Sequence, residues 1–80
     1  MLKRAVIQAL KELKRPATYI TIYEYIVEKR LYIFYKAKEP EKSVLATLRS
    51  LYKSKKYPIK RFLSKDRIYL YSYDFGSKND

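Results

Sequence analysis

At Tyr57-Pro58 the hydrophobic pattern of this chain changes period, and that change limits the fold more than any other feature. Before it, apolar residues recur at helical spacing in three separate stretches. After it they alternate with polar ones, as in half-buried strands. The chain has 80 residues, enough for one small domain with a modest core. Three helices followed by one hairpin use nearly all of it.

The first stretch, Leu2 to Lys14, places Leu2, Val6, Ala9, Leu10 and Leu13 on one side of a helix, with Ile7 at the border and Lys3, Lys11 and Lys14 outside. Arg15-Pro16 ends it, because a proline disfavours helical geometry in the residue before it. Thr18 is placed to N-cap a second helix from Tyr19 to about Lys29, with Ile22, Tyr23, Ile26 and Val27 as its buried stripe. Leu31 to Tyr35, LYIFY, has the composition of a strand but is short and lacks a turn dipeptide after it, so it reads as a packed connecting segment.

Pro40 then opens a third helix that runs to about Ser54, since proline at the first helical position removes an N–H that would have had no partner. Val44, Leu45, Leu48, Leu51 and Tyr52 form its apolar stripe, and Ser43, Ala46, Ser50 and Lys53 cluster opposite. Beyond Pro58, Ile59 to Leu63 and Arg67 to Tyr73 read as an antiparallel hairpin joined by Ser64-Lys65-Asp66, a turn without glycine. The domain is expected to span residues 1–73, with 74–80 a flexible tail or the start of a linker to further sequence.

Charge narrows the partner. The formal net charge is +11 at pH 7, which points to a polyanion such as nucleic acid; the plain alternative is a basic soluble protein with no such partner. Residues 36–67 carry eleven basic and three acidic side chains, and no acid occurs from Leu45 to Lys65. Cysteine and histidine are absent, which removes disulfides, Cys/His zinc sites, thiolate nucleophiles and imidazole bases. The acids offer little for catalysis: Glu24 and Glu28 sit one helical turn apart, Asp66 and Asp74 lie near the hairpin, and no nuclease motif of paired acids with a following lysine is visible. The chain therefore reads as a binding module rather than an enzyme, with no cofactor, metal or small-molecule substrate. Charged residues interrupt the apolar positions of MLKRAVIQALKELKR, so it resembles neither a signal peptide nor a membrane span. The expected location is intracellular, at the nucleoid if the source is prokaryotic.

An α+β order of three helices and a two-stranded antiparallel hairpin in a basic chain is that of a winged helix-turn-helix. In that geometry the third helix enters the DNA major groove, and Lys42, Ser43, Ala46, Arg49, Ser50 and Lys53 face the bases. Short side chains at the centre of that face allow close approach, Ala46 suits a thymine methyl, and Arg49 suits guanine. The simpler account is that Ala46 and Ser50 are ordinary exposed helix residues. Lys55, Lys56, Lys60, Arg61, Lys65 and Arg67, with Lys53, are placed as phosphate ligands. Tyr69, Tyr71 and Tyr73 share one face of the last strand; they either pack against the helices or stack unpaired bases as in single-strand binders.

The run LKELKRPATYITIYEYIVEKRLY, followed by KEPEKSVLATL and closing in RIYL, resembles the HARE-HTH family. The matching positions are Leu10 and Pro16, Ile22 and Tyr23, Pro40, Val44 and Leu48, then Ile68 and Leu70. Departures are Glu39 in place of the threonine usual before the helix proline, Thr21 where glutamate is common, and a hairpin without the family's glycines. The resemblance implies a winged helix that binds double-stranded DNA, as found at the ends of restriction-modification proteins, in Asx-like chromatin regulators and in a bacterial RNA polymerase accessory subunit. It also carries the family's proposed sensing of modified DNA. Two roles follow as expectations: a regulator or DNA-targeting module, in the second case joined to a longer chain beyond residue 80, and alternatively an interaction module of the transcription machinery that uses LYIFY at an interface.

Overall fold

Ala5, Val6, Ala9 and Leu10 lie buried along one side of the first helix, α1 (Leu2–Leu13), and the two alanines let its neighbours approach closely. The computed structural model describes residues 1–76. It continues with α2 (Tyr19–Glu28), α3 (Pro40–Ser54), β1 (Ile59–Leu63) and β2 (Tyr69–Tyr73), an α+β order compatible with a winged helix. The part of the expected tail at 77–80 lies outside the described residues.

Local chemistry sets the helix ends. Lys14 closes α1 in the left-handed region (φ 55°), where its N–H donates to the Leu10 carbonyl. Thr18 caps α2: its hydroxyl accepts the Thr21 N–H at 3.2 Å. Glu39 gives α3 no side-chain cap, and Pro40 starts the helix regardless. Lys55 ends α3, again left-handed (φ 58°).

The core lies between the three helices and one face of the hairpin, where Ile22 and Ile26 of α2 meet Val44, Leu48 and Leu51 of α3 and the α1 stripe. Val27, expected in that stripe, is instead 47% exposed. Ile22 and Ile26 turn α2 toward α1 and α3, and Val27 falls on the flank, beside residues 31–35. That segment is irregular, as expected, with Leu31, Tyr32 and Phe34 half-buried and Ile33 and Tyr35 exposed.

The hairpin register pairs Ile59 with Tyr73, Arg61 with Tyr71 and Leu63 with Tyr69, so these six side chains share a face. β2 starts two residues later than the expected Arg67. Arg67 is left-handed (φ 63°) and belongs to the turn, its N–H donating to the Ser64 carbonyl at 3.0 Å. It takes the position that glycine usually fills in such loops. Tyr71 is fully buried, and its backbone pairs with Ala17 through two hydrogen bonds, of 2.8 and 3.0 Å. A single residue from the α1–α2 connection thus extends the sheet.

Among the described residues no helix is long and apolar enough to cross a membrane.

Candidate nucleic-acid interface

The α3 face opposite Val44, Leu48 and Leu51 is exposed along its whole length. Lys42, Ser43, Ala46, Arg49, Ser50 and Lys53 all lie on it, and all six reach solvent. Thr47 folds its hydroxyl back onto the Ser43 carbonyl at 2.9 Å, which leaves the middle of this face low. Lys42 is drawn toward the helix start by Glu39, with Nζ 3.7 Å from the carboxylate. The acids Glu39 and Glu41 therefore weaken the positive potential over the first turn, and the cationic part of the face begins in earnest at Arg49.

Lys55, Lys56, Lys60, Lys65 and Arg67 are exposed as well. Lys60 shares its charge with Asp74 at 3.9 Å. Arg61 is placed differently: its guanidinium carbon lies 4.2 Å from the Tyr52 ring centroid and 4.1 Å from that of Tyr69. A planar cation flanked by two rings is held by the quadrupole of each and presents its N–H groups only edgewise. Arg61 shares a hairpin face with Tyr69 and Tyr71, while Tyr52 reaches in from α3.

The Tyr71 hydroxyl is buried without a hydrogen bond of acceptable geometry, yet its proximity is the main reason the Arg61 pKa is pushed up; desolvation opposes this. The arginine stays cationic in either case. Of the tyrosine row, Tyr71 is fully buried and Tyr73 half-buried, packed against the helices, while Tyr69 is 40% exposed with the Arg61 guanidinium against its ring, so the three do not form one open platform for bases.

Between α3 and the hairpin turn runs a groove of about 200 Å³, lined by Tyr19, Leu45, Arg49, Arg67, Ile68 and Tyr69. It brings Arg49 and Arg67 together from different elements, one expected at bases and the other at phosphates. Leu45, assigned to the core stripe, is half-buried and forms part of this lining. Sequence reasoning missed Tyr52 and Tyr69 as the holders of Arg61. For Tyr69 the signal is the hairpin register, which puts it diagonal to Arg61 on one face; Tyr52 comes from α3 by tertiary packing and has no such signal.

Glu12, which accepts hydrogen bonds from the Tyr25 hydroxyl and from Gln8, each at 2.5 Å, ties α1 to α2. The Tyr25 bond first, and Gln8 second, hold its carboxyl below the usual range.

Comparison with known proteins adds no relative: no family model, curated protein or solved structure matches this chain.

Proposed function

We propose that the chain is a winged-helix domain that binds double-stranded DNA, with α3 in the major groove and the hairpin as a wing along the backbone. One observation carries this reading. The exposed face of α3 joins small side chains to Arg49 and Lys53, and continues without an intervening acid into Lys55, Lys56, Lys60 and Lys65, with Asp66 standing only between Lys65 and Arg67 in the turn. Ser43, Ala46 and Ser50 allow a close approach to base edges, and Arg49 supplies a fork suited to guanine. Lys53, Lys55, Lys56, Lys65 and Arg67 meet phosphates and fix the register. Lys42 and Lys60 contribute less charge because Glu39 and Asp74 lie beside them. Arg61 acts from the cleft between helix and wing.

The likeness of the core and punctuation residues to the HARE-HTH pattern supports the same reading. It extends it to an intracellular regulator, or to the DNA-targeting module of a restriction-modification-related protein whose nuclease, if any, lies in other sequence. Titration of the isotope-labelled chain with a mixed-sequence duplex tests the proposal. Chemical-shift changes should be confined to residues 42–67, and an equal concentration of single strand should compete poorly. Absence of shifts, or clear preference for the single strand, would refute it.

A further inference from the structure

Helix α2 carries more apolar surface than the core uses. Ile22 and Ile26 are fully buried, while Ile20 and Val27 on another side are 39% and 47% exposed. The following segment folds back beside that second side. Phe34 packs on Tyr23 and Tyr32 with ring centroids 5.2 and 5.0 Å apart, whereas Ile33 and Tyr35 point outward, 80% and 79% exposed. Tyr23, Val27, Arg30, Tyr32, Ile33 and Phe34 line an open groove of about 510 Å³. An apolar patch of this kind on a small basic protein marks an interaction site.

The rim identifies the occupant. Arg30 lines the groove, Lys36 and Lys38 follow its lining residues closely in sequence, and no acid occurs among residues 29–38. Glu24 and Glu28 are exposed on α2 but do not line the groove. A second copy of a chain with net charge +11 would be repelled by this rim. A nucleic-acid backbone would neutralise the rim but leave Val27, Ile33 and Phe34 against water. An acidic peptide with large apolar side chains satisfies both parts. We infer that this groove docks an acidic, amphipathic segment of a partner protein, whose apolar anchors fill the space between α2 and residues 31–35 and whose carboxylates meet Arg30, Lys36 and Lys38. The site uses none of the residues assigned to DNA.

The test uses the intact chain and a panel of fluorescein-labelled peptides built only from Asp, Glu, Leu and Phe, with anchors at helical or alternating spacing. Fluorescence anisotropy should show binding by at least one peptide, and replacing its Leu and Phe by Ser should weaken it about tenfold or more. The double variant Val27→Ser, Ile33→Ser should lose peptide affinity by a similar factor while duplex affinity is unchanged. Both positions are exposed, so circular dichroism should show an intact fold. No binding across the panel would overturn the inference. Equal binding of the Ser-substituted peptide, which would reveal charge alone, would also overturn it, as would displacement of the peptide by duplex with shifts at residues 42–67. A dimer in sedimentation that the double variant disperses would assign the groove to a second copy instead.

Discussion

The salt dependence of duplex binding tests the assigned surface most directly, and its size follows from the side-chain geometry. Nine cations lie on α3 and the hairpin side of the molecule: Lys42, Arg49, Lys53, Lys55, Lys56, Lys60, Arg61, Lys65 and Arg67. Lys42 and Lys60 are partly compensated by Glu39 at 3.7 Å and Asp74 at 3.9 Å, and Arg61 is stacked between rings. The other six face solvent. If about four to six phosphates are neutralised at once, the plot of log affinity against log salt has a slope of about −4 to −5. Raising salt from about 50 to 200 mM then weakens binding by about two to three orders of magnitude. Anisotropy of a labelled duplex at fixed pH and varied KCl measures this. Lys53→Gln and Lys56→Gln should each make the slope shallower by about 1, alike for every sequence. Arg4→Gln, on α1, should leave it unchanged. A slope near zero, or an effect of Arg4→Gln as large as that of Lys53→Gln, would refute the placement.

Four further outcomes are expected. Leu48→Ala, at a fully buried position, should lower stability in urea by about 2–5 kcal/mol, against a total of about 4–12 kcal/mol for a domain of this length. Lys55→Gly relieves a left-handed residue (φ 58°), so Tm should rise, by about 1 kcal/mol of stability, while the salt slope becomes shallower. Arg61→Lys keeps the charge but loses the flat stack on Tyr52 and Tyr69; Tm should fall with the salt slope retained. The Glu12 carboxyl is held low mainly by the Tyr25 hydroxyl, so its contribution is complete above the ordinary carboxylate range and is lost as pH falls through the depressed folded value. The Tm gap between wild type and Tyr25→Phe should therefore narrow in acid, and a constant gap in melts down to low pH would contradict this.

Spacing made α3 legible, because Val44, Leu48 and Leu51 recur at four and three residues and are all buried. Its exposed face followed as the complement. The Thr18 cap was legible from residue type and the strands from alternation. α2 was harder, since YITIYEYIV is apolar nearly all round and its pattern does not say which flank faces inward; Val27 was misplaced for that reason. The turn hid its geometry because Arg67 stands where glycine would have announced a left-handed residue. Neither the Ala17–Tyr71 bridge nor the meeting of Arg49 with Arg67 has a periodic signal. Both depend on how the hairpin folds back on the helices, which is a matter of tertiary packing. Charge alone makes Arg61 a phosphate ligand, and only the strand register together with the packing of Tyr52 from α3 reveals the cleft that holds it.

That cleft bears on how the proposed interface would work. The hairpin is fastened to the helices at two places: the Tyr71 backbone pairs with Ala17 between α1 and α2, and Arg61, opposite Tyr71, stacks on Tyr52 near the end of α3. Two attachments, one to the α1–α2 connection and one to α3, restrain the angle between hairpin and α3, so Lys65 and Arg67 at the turn keep a set position relative to Arg49. A cationic surface already arranged before binding loses less side-chain and segment freedom when it meets a duplex, and more of its electrostatic attraction appears as affinity. If the chain binds DNA as proposed, Tyr52, Tyr69 and Tyr71 would serve that binding through Arg61 and the hairpin angle, without any of the three having to touch the duplex.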